Sequence, residues 1–266
     1  MPIETAVPVE RLDQDGFHRL DRLATGMAFD IHNRLGRYLD EEIYKANLAE
    51  RLRSEGVDVS REMRIRLTLD DYRKDYFVDL LLDGCVVLEG KAASSLTSGH
   101  RGQTLNYLFL CGLNHATLLN FRPERVEHEF VSTTVNPKDR FDFRMEDRGW
   151  IQMSDHCPKL LRTFERVLAE FGTFLDPTMY RDAVTHFLGG EGNVTRRIPV
   201  AIDGKTIGHQ RAHLLTDHVA FSVTAATRDS NSVFVHQKRF LRATSLKCIQ
   251  WINLNRSVIE LCTITR

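Results

Sequence analysis

The stretch D-L-L-L-D-G-C-V-V-L-E-G-K, residues 79–91, decides how this chain is read. Two apolar runs flank Asp83-Gly84, a pair that favours a tight reversal between strands. Asp79 stands where the first run opens. Glu89 and Lys91 close the second run two residues apart, so on a strand they share a face. A short polar link leads to Q-T-L-N-Y (103–107) in a segment of helical character. Gln103 and Tyr107, four apart, lie on one helix face. Two carboxylates, a lysine, an amide and a phenol therefore converge on one point, a set suited to a divalent cation acting on a phosphate ester.

The register of the hairpin decides whether they meet. A two-residue turn at Asp83-Gly84 sets Asp79 opposite Leu88, on the wrong face for Glu89. A three-residue loop, Leu82-Asp83-Gly84 with Gly84 left-handed as a bulge, sets Asp79 opposite Val87. Asp79, Glu89 and Lys91 then share a face, and this is the loop expected.

Outward from this stretch, Phe17 to Leu35 carries apolar residues at helical spacing, and Gly36 reads as the stop. A second helix is expected over Leu39 to Ser54, with Glu41, Tyr44 and Leu48 on one face. Val57 to Leu69 alternates like a strand with one wet face. Asp70-Asp71 and Arg73-Lys74-Asp75 read as a polar turn. Both runs of the hairpin are nearly continuous in apolar residues, as in a sheet covered on both faces. Thr97 or Ser98 can cap the next helix, which ends near Gly112; His115 to Phe121 and Glu127 to Thr134 read as strands. The order helix, helix, strand, strand, strand, helix, strand, strand predicts an α/β fold with a mostly central mixed sheet. Residues 1–16 read as a polar lead-in, 17–134 as the catalytic domain, 135–158 as a linker and 159–266 as a further domain.

That further domain looks like a degenerate tandem copy of the first. L-G-R-Y-L-D-E-E-I-Y (35–44) matches F-G-T-F-L-D-P-T-M-Y (171–180), F-V-D-L-L-L-D matches R-A-H-L-L-T-D, and T-L-L-N-F (117–121) matches Q-W-I-N-L (250–254). Aligned by apolar pattern, Glu41 falls on Pro177, Asp79 on His213, and Glu89 and Lys91 on Val223 and Ala225. Gln103 and Tyr107 fall on His236 and Phe240. Apolar positions survive while every candidate site residue is lost, so the fold itself does not require those residues.

Composition sets the outer bounds. With 266 residues, 42% of them apolar, the chain can build a large core. Lys+Arg and Asp+Glu balance at 36 each, so a nucleic-acid partner cannot be argued from overall charge. Over 191–266 bases outnumber acids by 11 to 5. A basic domain of this kind can grip a phosphate backbone, though a solvated basic face with structural histidines is the preferred account. The five cysteines are scattered, without zinc spacing, and read as reduced thiols. The first residues lack the apolar stretch of a signal peptide, and no apolar run approaches a membrane span. A cytoplasmic protein without membrane contact is expected.

Each site residue has a plain alternative: Asp79 as a strand-end acid, Glu89-x-Lys91 as a surface ion pair, Gln103 and Tyr107 as a wet helix face. None explains an acid and a lysine closing a run such as C-V-V-L. As a set they suggest hydrolysis of a phosphodiester. Asp79 and Glu89 would hold Mg²⁺ or Mn²⁺, with the Gly90 carbonyl as a third ligand. Lys91 would orient water or stabilise developing charge, and Gln103 would position the water or Lys91. Tyr107 would bond a phosphate. Glu41 would complete the metal shell, hold a second ion or fix Lys91.

These residues carry a resemblance. Asp79 with Glu89-Gly90-Lys91 resembles the signature of the PD-(D/E)XK nuclease superfamily, and Q-T-L-N-Y resembles the QxxxY motif of its RecB-like branch. I-H-N-R-L-G (31–36), E-E-I-Y (41–44), the 79–91 block, G-Q-T-L-N-Y-L and T-L-L-N-F together resemble the GxxExxY protein family. The resemblance implies an αβββαβ core, metal-dependent nuclease chemistry, and matching roles for Asp79, Glu89, Lys91, Gln103 and Tyr107, with Glu41 as a helix acid of the site. Three departures stand out: Tyr38 replaces the glycine of GxxExxY, Gly90 replaces a bulky apolar residue inside Glu-x-Lys, and Val78 replaces proline before Asp79. The expected function is a metal-dependent nuclease with one live site, acting on nucleic acid and on DNA first. The two copies would form an intrachain pseudo-dimer that makes single-strand or end-directed cuts. The alternative is a non-cleaving nucleic-acid-binding or regulatory module. His32, within the I-H-N-R-L-G block, is expected to be structural.

Overall fold

The computed structural model describes residues 2–266. The chain forms two compact units: residues up to Thr68 with Arg73–Pro137, and Leu69–Tyr72 with Lys138–Arg266. Among the described residues no helix is long and apolar enough to cross a membrane, and all five cysteines are free thiols.

The first unit contains β1 (Ile3–Thr5), α1 (Gln14–Leu35), α2 (Glu41–Ser54), β2 (Val59–Leu69) and β3 (Tyr72–Leu82). It continues with β4 (Val86–Lys91), α3 (Ser98–Cys111), β5 (His115–Asn120) and β6 (Glu127–Ser132). The sheet order is β1-β2-β3-β4-β5-β6. β4 and β5 run parallel, while the β3–β4 and β5–β6 pairs are antiparallel. Helix α1 starts where the Asp13 carboxylate accepts from the Gly16 N–H at 2.8 Å. It stops at Gly36, whose φ of 73° costs glycine little.

Helical spacing puts Phe17, Leu20, Ala24, Ala28 and Ile31 of α1 on one stripe. With Tyr44, Leu48 and Leu52 of α2 they bury Leu80, Leu82, Val86 and Leu88. The pleat sends the alternate residues, Asp79, Glu89 and Lys91, to the opposite face, the side of α3. The Tyr44 ring stacks on Phe121 at 4.6 Å and 6°. Its hydroxyl donates to the Gly36 carbonyl at 2.7 Å and accepts from the Leu39 N–H at 3.2 Å. The α1–α2 corner is thereby fastened to the sheet.

The second unit contains a 3-10 turn (Asp139–Phe141), β7 (Arg144–Asp147), α4 (Cys157–Phe171), α5 (Pro177–Phe187) and α6 (Glu191–Val194). Then come β8 (Thr195–Ile202), β9 (Lys205–Thr216), β10 (Val219–Thr224), α7 (Ser230–Arg242), β11 (Cys248–Asn255) and β12 (Val258–Thr265). Its sheet order is β7-β12-β11-β10-β9-β8, with β10 and β11 parallel. Strand for strand, β8 to β12 repeat the order and pairing of β2 to β6.

Two local devices recur as well. The Tyr180 hydroxyl donates to the Gly172 carbonyl at 2.6 Å and accepts from the Leu175 N–H at 3.3 Å. The Asn120 amide bonds Ala93 through both its N–H (3.0 Å) and its C=O (2.9 Å), and donates to Glu127 at 2.8 Å. Asn253 does the same with Ala226 (2.8 Å each way) and with Glu260 at 2.7 Å.

These fixed points correct the alignment drawn from apolar pattern. Lys91 pairs with Asn120 and Thr224 with Asn253. Lys91 therefore corresponds to Thr224, and Glu89 to Ser222. Leu88 pairs with Leu80, and Phe221 with His213, so Asp79 corresponds to Ala212. Apolar periodicity in a buried strand leaves a one-residue slip open, and only the ladder closes it.

Four other details differ from expectation. Ile3–Thr5, inside the expected lead-in, pairs with β2. Arg73-Lys74-Asp75 belong to β3 and not to a turn; Asp75 forms a two-pronged pair with Arg66 at 2.8 Å, so the polar residues decorate a paired strand. Residues 135–158, expected as a linker, contain β7, which pairs parallel with β12.

The fourth is the hairpin loop. Leu82 pairs with Val86, Leu81 with Val87 and Leu80 with Leu88. Asp83 and Gly84 are both left-handed, at φ 47° and 65°, and the Cys85 N–H returns to the Leu82 carbonyl at 2.8 Å. The loop is Asp83-Gly84-Cys85, one residue later than expected. Continued by one step, this register sets Asp79 opposite Glu89, where cross-strand side chains share a face.

Candidate active site

Asp79 and Glu89 interlock. The Asp79 N–H donates to Glu89 Oε1 at 3.2 Å, and the Gly90 N–H donates to Asp79 Oδ2 at 2.9 Å. Glu89 is 0% exposed and Asp79 is 9% exposed. Burial and the adjacent Asp79 carboxylate push the Glu89 pKa up to about 8, against the pull of Lys91. The Lys91 ammonium lies 3.2 Å from Glu89 Oε2 and 3.9 Å from Asp79 Oδ2. Buried carboxylates side by side create a demand for positive charge, which the fold meets here with lysine.

Helix α3 covers this face. Thr97 caps it reciprocally with His100, the caps being 3.2 and 3.3 Å long. Tyr107 is buried, and its pKa is raised by that burial and by the nearby Glu89, with lesser contributions from Asp79 and Glu62. Gln103 itself is exposed, and its amide donates to the Tyr107 hydroxyl at 3.0 Å. His32 is buried and bonds the Pro123 carbonyl at 3.0 Å, away from this group.

Helix α2 supplies the part that sequence reading missed. Lys45 crosses from the opposite face of the sheet and places Nζ 2.9 Å from Asp79 Oδ1. The same ammonium lies within 3.4 to 3.6 Å of Glu41, Glu42 and Glu62. Burial lowers the Lys45 pKa, but the bond to Asp79 and the charges of Asp79, Glu41 and Glu62 outweigh it, so the net shift is upward. Glu41 accepts from the Ala92 N–H at 3.2 Å and pairs with Lys45. It thus anchors the end of β4 and Lys45, where a contact with Lys91 had been one of its expected roles. Glu62 takes part with a left-handed φ of 48° inside a strand, a strained conformation for a side-chain-bearing residue.

Lys45 explains Gly90. A Cβ at Gly90 would stand 3.0 Å from Lys45 Cγ and 3.4 Å from Cδ. The glycine is a notch through which the lysine stem passes from one face of the sheet to the other. The i, i+4 spacing of Glu41 and Lys45 was the available sequence signal. Glu62 gave none.

Among the described residues no group of three or more acids, histidines or cysteines is disposed to hold a metal ion; the acids gathered around Lys45 Nζ already surround a cation. The donor set still suits a hard cation, because Mg²⁺ commonly takes one or two carboxylates and completes its shell with water and phosphate oxygens.

No curated protein and no solved structure matches the chain significantly. Residues 18–132, from α1 through β6, match a family model described as the PD-(D/E)XK nuclease superfamily, whose members are generally nucleases.

Proposed function

We propose that the first unit is a metal-dependent nuclease that hydrolyses phosphodiester bonds of nucleic acid, with DNA as its first substrate. The observation that carries this reading is the interlocked Asp79–Glu89 pair, buried beneath Tyr107 with the Lys91 ammonium 3.2 Å away. Asp79 and Glu89, with the Gly90 carbonyl, are the candidate ligands for Mg²⁺ or Mn²⁺. When bound, the ion would supply charge neutralisation and an acidified water. Lys91 faces the position of the scissile phosphate and stabilises negative charge that builds on its oxygens. Gln103 fixes the Tyr107 hydroxyl, which bonds a phosphate oxygen. Glu41 holds Lys45 and the end of β4 in place. In the reaction a water oxygen bonds to phosphorus, the bond to one ester oxygen breaks, and that oxygen leaves with a proton.

The Q-T-L-N-Y block and the GxxExxY-like blocks support a place in the RecB-like branch and in that family. The shared topology and shared tyrosine and asparagine devices support a second unit derived from the first by duplication, which leaves one live site per chain. The direct test is incubation with single- and double-stranded DNA and RNA in Mg²⁺ or Mn²⁺, beside Asp79→Ala and Lys91→Ala. Cleavage lost in both variants is expected; cleavage that survives Asp79→Ala overturns the assignment.

One observation favours a second reading, a binding module that does not cut. Lys45 and Lys91 already pair with Asp79 and Glu89. Nucleic-acid binding without cleavage, indifferent to added metal, would support it.

A further inference from the structure

The second unit holds a cavity of about 960 Å³. It lies on the strand ends and helix face that, in the first unit, carry the candidate site. Ala212, Ser222, Thr224, His236 and Phe240 line it, and these correspond in register to Asp79, Glu89, Lys91, Gln103 and Tyr107. Arg181, on α5 where α2 has Lys45, lines it too. The chemistry of the site has changed sign. No acid lines the cavity, whereas Arg181, Arg211, His213 and His236 all do.

Three features define what would fill it. The first is charge. Arg181 and Arg211 line it while pairing with acids outside its lining, Asp182 at 3.3 Å and Glu191; burial, then the cation of Arg181, lowers the pKa of His213 against the pull of Glu191 and Asp182. Ser232 and Val233, from the first turn of α7, also line it; that turn carries no acid beyond its N-cap Asp229, and the Val233 N–H bonds the Asp229 carbonyl, so the N–H groups ahead of it are the ones that favour an anion. The second is an unmet acceptor. Gln237 is 7% exposed and its amide donates to Ser222 Oγ at 3.3 Å. Its Oε1 is buried without a partner, as is Arg181 Nε. A buried acceptor of this kind calls for an N–H or O–H from a ligand. The third is an apolar wall formed by Val200, Phe240 and Ile249.

We propose that this cavity binds a nucleotide without hydrolysing it. The phosphate answers the arginines, a base or sugar donor answers Gln237 Oε1, and the base ring lies on the apolar wall. An inorganic anion satisfies only the first of these. The ligand is a free mononucleotide or the phosphorylated end of a strand, two sources of one chemistry. The volume falls at the upper end of small-molecule pockets, about 300–1,000 Å³.

The test uses the full chain carrying Asp79→Ala, so that the readout is binding and does not depend on whether the first unit cuts. Adenosine 5′-monophosphate, adenosine, inorganic phosphate, and a short oligonucleotide with and without a 5′-phosphate are titrated by calorimetry. Saturable one-to-one binding is expected for the monophosphate or the phosphorylated strand. Adenosine and phosphate alone should each be weaker by at least about tenfold. Arg181→Gln and, separately, the exposed-site variant Arg211→Gln should each weaken binding about tenfold or more, with thermal unfolding of the free variants as the folding control. Binding by the phosphorylated strand alone assigns the source to strand ends. No saturable binding by any phosphate-bearing probe overturns the proposal, as does equal binding by the unphosphorylated strand or by well-folded arginine variants.

Discussion

The two units share a frame and differ in what they place on it. Both fasten a helix corner with a tyrosine hydroxyl bridging a glycine carbonyl and a downstream N–H. Both tie the mouth of the parallel crossover with one asparagine. The first unit buries Asp79 and Glu89 at the adjoining strand ends and threads Lys45 past Gly90 to meet them. The second has Ala212, Ser222, Thr224 and Val223 there, with Arg181 in place of Lys45. The buried carboxylates raise a cost that the second unit does without.

The sharpest way to break this contrast is catalytic. Asp79→Ala or Lys91→Ala should lower cleavage by at least about a thousandfold, while Ser222→Ala and Thr224→Ala leave it unchanged in a nuclease assay. Equal losses in both units would abolish the division between them. Next in size is Gly90→Val, which installs the second unit's residue. The side chain meets the Lys45 stem, so a loss of about 1–3 kcal/mol in denaturant unfolding is expected. Lys45→Ala should recover part of it in a double-mutant cycle.

Glu89→Gln tests the burden of the buried charge. Its folded pKa, about 8, stands above the unfolded value of 4.5. The folded state therefore holds a proton that the unfolded chain has released. The stability this contributes is complete below pH 4.5 and is lost as pH rises to about 8. In metal-free buffer the glutamine variant should gain on the parent through that window, by a few degrees in Tm at pH 8, and the gap should level off above it. Smallest are Tyr44→Phe and Tyr180→Phe. Each removes one bridging hydroxyl and should cost about 1 kcal/mol. Similar losses in calorimetric unfolding would mark the device as common to both units.

Much of this was legible in the sequence. Helical spacing gave α1 and α2 to within a few residues, because apolar stripes must face a core. Gly36 and Thr97 marked their helix ends through backbone chemistry. The grouping of Asp79, Glu89 and Lys91 followed from strand periodicity. What stayed hidden depends on hydrogen-bonded register or on long-range reach. Asp83-Gly84 announces a turn, but nothing local says that Cys85 joins the loop. Buried strands such as β4 and β10 are apolar on both faces, so the alignment of the second unit slipped by one. Lys45 reads as a helix-surface lysine until the sheet is placed behind it. Glu62 is turned toward the site by a backbone conformation that no residue type signals.

The asparagine ties have a consequence for engineering. Ala93 and Asn120 are held together by two hydrogen bonds, as are Ala226 and Asn253. Each pair brackets a crossover helix and the strand that follows it. The bracketed segment is a cassette with matching ends: 94–119 and 227–252 could be exchanged within one chain, carrying Gln103 and Tyr107 over the basic cavity, or His236 and Phe240 over the carboxylates. The molecule holds its own donor part and acceptor socket, so the helix and the strand ends can be recombined without designing a new joint.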